Sequence, residues 1–381
     1  MFSSEPPSQV PFSQAQPAAT RPSERAPLPD VLRGLALLGI LCVNMQDFAG
    51  YAEWAQQGGN RAAQVVIDLL FNGKFISLFA MLFGAGAFVL LERGGRNLLL
   101  RRLAALLLVG TVHFIFVWHG DIIANYAVVG LALLLLERAR PRLLVIVGTL
   151  AGAWWALGLA MLAATARPGL LRRVPAEVSA GQSYLEIMQS RARDFLGDLG
   201  SVVAFDGFWL LALFCFGGAL YRSGVLWWPQ QHRPALRWML VGGVLVGLPL
   251  SAALAYLNTQ NAYDASLWGI LVRLIGGFAL TLGYLGGVGL LAASGKLGWL
   301  GFFAASGRLA LSNYIAQSLI MTTLFYPYGG GGYGQWGALP TLGLALIVGL
   351  AQVGVSNLYL RRWQIGPLEW ALRKLVYGGR R

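Results

Sequence analysis

Residues 103–136 read Leu103-Ala-Ala-Leu-Leu-Leu-Val-Gly-Thr-Val-His-Phe-Ile-Phe-Val-Trp-His-Gly-Asp-Ile-Ile-Ala-Asn-Tyr-Ala-Val-Val-Gly-Leu-Ala-Leu-Leu-Leu-Leu136. Two apolar runs, 103–118 and 121–136, meet at a short polar seam. In lipid every backbone polar group must be satisfied within its own segment, so each run is read as a helix and the seam as a turn between two crossings. At the seam stand His113, His119 and Asp121, two of the chain's three histidines and one carboxylate. Ionisable groups at membrane depth are costly, and they face a bundle interior or a wet cavity.

The same pattern extends along the chain. Of 381 residues, 56% are hydrophobic and 12% charged, where a soluble domain carries roughly 25% charged. Mean hydropathy is +0.60, and 50 glycines and 13 tryptophans suit close helix packing and interfacial anchoring. Ten apolar segments qualify as spans: 31–48, 66–91, 103–118, 121–136, 142–165, 201–221, 237–257, 267–293, 309–326 and 339–360. The expected fold is therefore all-α, a polytopic integral membrane helix bundle of about ten transmembrane helices.

Charge orients it. With the N-terminus inside, the inner segments carry 21 of the 29 Lys and Arg and the outer segments 6, while Lys74 and Arg273 fall inside spans. Positive residues concentrate on the cytoplasmic side, so both termini are expected there, in a bacterial inner membrane. The net charge of +13 follows from that asymmetry and suits anionic lipid. The arginines are spread over separate loops, which argues against a nucleic-acid partner.

Residues 1–28, rich in Pro, Ser, Gln and Ala, read as a disordered tail without the layout of a cleaved signal peptide. Residues 29–360 form one transmembrane domain. Its longest outer loop, 166–200, is expected to hold a surface helix near Tyr184–Leu196. The glycine-rich stretch Tyr326–Trp336 lacks the context of a phosphate loop and reads as flexible. In 361–381, Gly366-Pro367 breaks the chain before a short amphipathic helix on the inner leaflet. Cys42 and Cys215 sit in spans as small apolar side chains; no disulfide and no metal site is expected.

Four constellations could carry chemistry. Arg33 and Asn44 lie eleven residues apart, on one stripe of the first span and about 16 Å apart along its axis. Arg33 could clamp phosphate or carboxylate through its planar fork, or simply anchor the inner end. In the second span Asp68 and Lys74 flank Phe71-Asn-Gly73, and in the eighth Arg273 lies below Asp264. Both outer-half cations suit either an anionic ligand or a structural ion pair. At the seam, His113 could act as general base, with Asp121 fixing its tautomer or capping the next helix. His119, at the water edge, is the less constrained of the two histidines.

Several of these stretches resemble one family. Leu32-Arg-Gly-Leu-Ala-Leu-Leu-Gly-Ile-Leu-Cys-Val-Asn-Met45, Lys74-Phe-Ile-Ser-Leu-Phe-Ala-Met-Leu-Phe-Gly-Ala-Gly86, the run from His113 to Tyr126, Gly307-Arg-Leu-Ala-Leu-Ser-Asn-Tyr-Ile-Ala-Gln317 and Gly366-Pro-Leu-Glu-Trp370 are similar to the YeiB-like bacterial inner-membrane proteins, a family of unknown function. The typical seam of that family is His, a few apolar residues, Trp, any residue, then Gly-Asp-Ile. Here these are His113, Trp118, Gly120, Asp121 and Ile122, and His119 fills the variable slot.

The family in turn resembles the transmembrane acyltransferases, including heparan-glucosaminide acetyltransferases and bacterial sugar O-acyltransferases. That likeness implies acyl transfer from cytoplasmic acyl-CoA to a hydroxyl or amine on the outer side, with no resident cofactor. In the O-acyltransferases an Arg is followed by ten residues and a catalytic His; here Arg33 is kept and Asn44 stands at the His position. Because Asn44 replaces that His, we expect the base to be relocated to His113 of the third span, supported by Asp121, with the acyl-CoA phosphates near Arg33 and Arg308 and Asn44 or Lys74 at the oxyanion. Asn313 and Arg273 are further candidates for substrate contact. The acceptor could be lipid-linked, a sugar or a small metabolite. A proton-coupled transporter and a non-catalytic assembly protein remain open alternatives.

Overall fold

The structure, a computed structural model, describes residues 27–167, 169–172 and 177–378. Of the expected tail, 1–26 lie outside the described residues, while Pro27 and Leu28 already belong to the first helix. Every regular element among the described residues is helical, as hydrocarbon burial of the backbone requires.

α1 (Pro27–Ala49) leads through a short turn to α2 (Gly58–Leu70), and then α3 (Lys74–Phe116). α3 is interrupted at Gly95, whose φ of 65° lies where L side chains are strained. Two groups of ion pairs show what that break does. Glu92 and Arg96, beside it, meet Arg222 and Glu137 at one end of the bundle. At the other end Asp68, just before the first tip of α3, shares the Asn258 amide with Glu53, which pairs with Arg172, and His119, just past the second tip, meets Glu177. α3 therefore crosses the bundle, reverses at Gly95 and crosses back.

α4 (Ile123–Gly130) continues as a 3₁₀ segment, Leu131–Leu136. α5 (Pro141–Thr165) and α6 (Tyr184–Ser201) follow, and a π turn, Val202–Asp206, passes into α7 (Gly207–Arg222). α8 (Arg233–Leu257) and α9 (Tyr263–Ala293) form the most extensive helix pair. α10 (Phe303–Arg308) and α11 (Ala310–Phe325) are one broken crossing, hinged at Leu309. α12 (Ala338–Arg362) and the amphipathic α13 (Pro367–Tyr377) complete the chain.

Seven described helical segments are long and apolar enough to span a membrane; Ile123–Leu136 is a shorter apolar helix. The ten expected segments differ from these seven for local reasons. The second and third lie in one continuous segment, Gly58–Phe116. The second starts at Lys74 rather than 66, because Asn72-Gly73 ends α2 in a left-handed turn. The fourth tightens into 3₁₀ geometry, and the ninth is only 16 residues as α11.

The core gathers where α3, α4 and α7 cross, around Phe83, Tyr126 and Phe214. A second centre joins α1, α11 and α12, where Phe48 stacks on Trp118 at 4.2 Å. Large apolar side chains also face outward, among them Leu135 at 83% and Trp238 at 78% exposure. That inversion is what a lipid solvent demands. The surface helix expected in the outer loop is α6, begun by a Ser183–Glu186 capping box and docked by Phe195 on Phe114. In the glycine-rich loop, Tyr333 N–H donates to the Phe325 carbonyl and Gly334 N–H to that of Ala49.

Candidate functional site

His113 stands one turn before the end of α3, and its carbonyl accepts the N–H groups of Val117 and Trp118 as the helix closes. The chain then turns through Gly120 so that Asp121 folds back beneath it. Asp121 Oδ1 lies 2.8 Å from His113 Nδ1, and Oδ2 accepts the Ala124 N–H at 2.7 Å, capping α4. Both residues are buried, at 1% and 4% exposure. The Tyr314 ring lies 5.2 Å from the imidazole, and its hydroxyl donates to the Gly120 carbonyl.

A carboxylate at Nδ1 selects the tautomer with the proton on that nitrogen, leaving the Nε2 lone pair free. Nε2 is buried and has no partner among the described residues. An orphaned buried acceptor on an oriented imidazole is the geometry of a general base awaiting a donor.

His119 has a different setting. Its Nδ1 lies 2.7 Å from Glu177 Oε2, at the mouth of the bundle. Glu177 also takes Arg191 Nε and Nη2 at 2.9 and 2.6 Å, and the Tyr326 hydroxyl. Burial works against protonation of this ring, but contact with Glu177 and the charge of Asp47 outweigh it and hold the His119 pKa above its ordinary value.

The other sequence candidates divide between the two ends. At the seam end, Asn44 is half-buried, one turn before Phe48, and bonds to nothing described. Lys74 is fully buried and donates to the backbone carbonyl of Asp68 rather than to its carboxylate. Arg273 lies beside it, within electrostatic reach, and no ion pair to Asp264 forms among the described residues. Glu53, in the α1–α2 turn, has its pKa raised by burial and by the nearby Asp68 carboxylate, while Arg172 and Arg273 oppose the rise.

At the opposite end, Arg33 pairs with Asp30 at 3.0 Å. Arg308 donates to the Gln364 carbonyl at 3.1 Å and keeps a buried Nε without an acceptor. Asn313 is occupied by Ser306 and Ser356 hydroxyls, at 3.1 and 3.0 Å, and braces α10, α11 and α12. Glu369 accepts the Ser312 N–H and hydroxyl, pinning α13 to the start of α11. An apolar cavity of about 280 Å³, lined by Leu32, Leu35, Phe75, Leu78, Leu240 and Tyr284, opens beside the Arg33 turn.

Sequence reasoning missed several participants, Glu177 beside His119 among them. Arg102 lies within electrostatic reach of Arg33 and of Tyr377 on α13. Its signal was present: a second cation at the inner end of an apolar helix. Asp47 lies within reach of His119, Arg273 and Glu177. It follows Asn44 by three residues, the spacing that shares a helix face.

Fold and site together define an all-α polytopic membrane protein holding a buried histidine–carboxylate pair near one end. Compared with known proteins, residues 220–379 match the family described as protein of unknown function (DUF418). The chain is 32% identical over 371 residues to the uncharacterized protein YeiB of Escherichia coli (strain K12), covering 91% of this chain and 95% of that one. It is 29% identical over 416 residues to the uncharacterized protein YxaH of Bacillus subtilis (strain 168), covering 96% and 97%. An uncharacterized 39.9 kDa protein from Bacillus acidopullulyticus is 26% identical over 373 residues, covering 93% and 94%. The chain belongs to the YeiB-like family, as its sequence motifs led one to expect.

Proposed function

We propose that this protein is a transmembrane acyltransferase of a bacterial inner membrane, with both termini in the cytoplasm. Acyl-CoA enters from the cytoplasmic side, its phosphates held by Arg33 and Arg308, with Arg102 adding charge. The apolar cavity beside Arg33 offers room for an acyl chain. The acceptor, a hydroxyl or amine, binds in the outer half. His113 Nε2 takes its proton as the acceptor attacks the thioester carbonyl; the carbon–sulfur bond then breaks, and the CoA sulfur leaves with the proton that His113 returns. Asn44 or Lys74 stabilises the oxyanion.

The observation that carries this reading is the orphaned Nε2 of a buried, carboxylate-oriented His113. Purified protein should bind acyl-CoA and release CoA when an acceptor is supplied; binding should weaken without Arg33. A second reading, proton-coupled export, draws support from the broken crossings at Gly73 and Leu309 beside buried ionisable groups. Substrate flux in proteoliposomes without CoA would favour export, and acyl transfer without flux would favour the enzyme.

A further inference from the structure

Lys74 and Arg273 are brought side by side by Gly73. With φ at 82° and no side chain, Gly73 packs against α9 so closely that a Cβ there would lie 2.5 Å from the Arg273 carbonyl. The residue that follows it is Lys74, at 0% exposure.

Two of the acidic groups nearby, Asp68 and Glu53, are taken by other partners. Asp68 Oδ1 accepts from the amides of Gln64 and Asn72 at 3.2 and 2.9 Å, and Oδ2 from Asn258 at 3.1 Å. Glu53 accepts from Arg172 at 2.7 Å and from Asn258 at 3.4 Å. Lys74, with three donors to satisfy, has the Asp68 carbonyl as its described partner. Arg273 makes no hydrogen bond or ion pair among the described residues, and its Nε is buried without an acceptor. Asp47 lies within electrostatic reach of Arg273 yet bonds to nothing described. Two cations are thus left with spare donors beside a buried carboxylate that amides, rather than cations, hydrogen-bond. Burying such charge without acceptors is costly.

We infer that Lys74 and Arg273 form a subsite for a phosphate-class oxyanion at the seam end of the bundle. A guanidinium fork beside a compact ammonium matches the oxygens of such a group. Under the acyltransfer reading, on which this role rests, this oxyanion is part of the acceptor, which is therefore an anionic molecule rather than a neutral sugar or alcohol, and the thioester oxyanion falls to Asn44 rather than Lys74. Its source is either a soluble phosphate compound or a phospholipid headgroup.

Thermal unfolding of the full chain tests the subsite without any acyl donor. Inorganic phosphate is titrated onto detergent-purified protein against sodium chloride of equal ionic strength. In parallel, nanodiscs containing phosphatidic acid are compared with phosphatidylcholine alone. The expected result is a rise of about 2–4 °C in at least one arm, kept in Arg33→Gln and lost in Arg273→Gln. The phosphate arm responding identifies a soluble source, and the nanodisc arm alone a lipid. Lys74→Gln should also lose the rise; if it fails to fold, Arg273→Lys, expected to keep part of it, serves instead. No rise in either arm, or a full rise in Arg273→Gln, overturns the subsite. A rise abolished by Arg33→Gln alone also overturns it, by placing the anion at the opposite end. Failure of acyl-CoA binding would sink the acyltransfer reading and leave this result standing.

Discussion

Asp121 holds His113 with one oxygen and the start of α4 with the other: Oδ1 is 2.8 Å from Nδ1, and Oδ2 accepts the Ala124 N–H at 2.7 Å. One carboxylate thereby fixes the imidazole's tautomer and the turn that carries it. Orientation and fold are coupled at this position, so substitutions here separate two effects. Asp121→Asn keeps an acceptor for the cap but removes the charge beside Nδ1. We expect a well-folded protein with reduced but measurable acyl transfer, checked by size-exclusion profile and CoA release. Activity equal to that of the parent would mean that Asp121 acts only as a cap.

The proposed topology rests on the division of Lys and Arg over ten crossings, 21 inner against 6 outer. Reporter fusions at either terminus should read as cytoplasmic in intact cells. A periplasmic signal from a C-terminal reporter would invert or break the order of crossings and move the His113 site to the wrong face.

Arg33 is expected to clamp phosphate through its fork rather than through charge alone. Arg33→Lys should weaken acyl-CoA binding by about tenfold, ~1.4 kcal/mol, despite the retained charge. Equal affinity in direct titration would leave Arg33 as an anchor for the inner end of α1.

The His119–Glu177 contact gives a pH dependence with a definite sign. The folded-state pKa of His119 is raised, so its contribution is complete below the unfolded value of about 6.5 and is lost as pH rises through the folded value. The stability difference between the parent and His119→Gln should thus be largest in mildly acidic buffer and shrink toward alkaline pH. A difference that grows with pH in thermal unfolding scans would contradict the raised value. Acyl transfer should be little affected, because His119 lies at the mouth and not on Asp121.

The bundle was legible because apolar runs of bilayer length leave few alternatives to helix, and the seam because His113 and Asp121 interrupt two such runs. Periodicity also placed Arg33 and Asn44 on one stripe. It could not place Lys74 beside Arg273, which are 199 positions apart in the chain and meet through the backbone contact at Gly73. The same limit hid Arg102 beside Arg33 and Glu177 beside His119: each is a contact between distant segments, and helical spacing carries no information about which helices become neighbours. The Gly95 reversal was legible only as a charged gap between two runs, and the separate α2 was read into the second crossing because its outward face is apolar too.

The central claim is that His113 is the general base, and one substitution tests it most directly. His113→Gln removes the proposed basic nitrogen with little change in volume, and loss of a general base lowers rates about 10²- to 10⁴-fold. The measurement is acyl transfer from acyl-CoA by purified His113→Gln, in a sample that inserts normally and stays monodisperse. The account predicts a fall of that size with acyl-CoA affinity retained. Near-parental turnover in such a sample would contradict it.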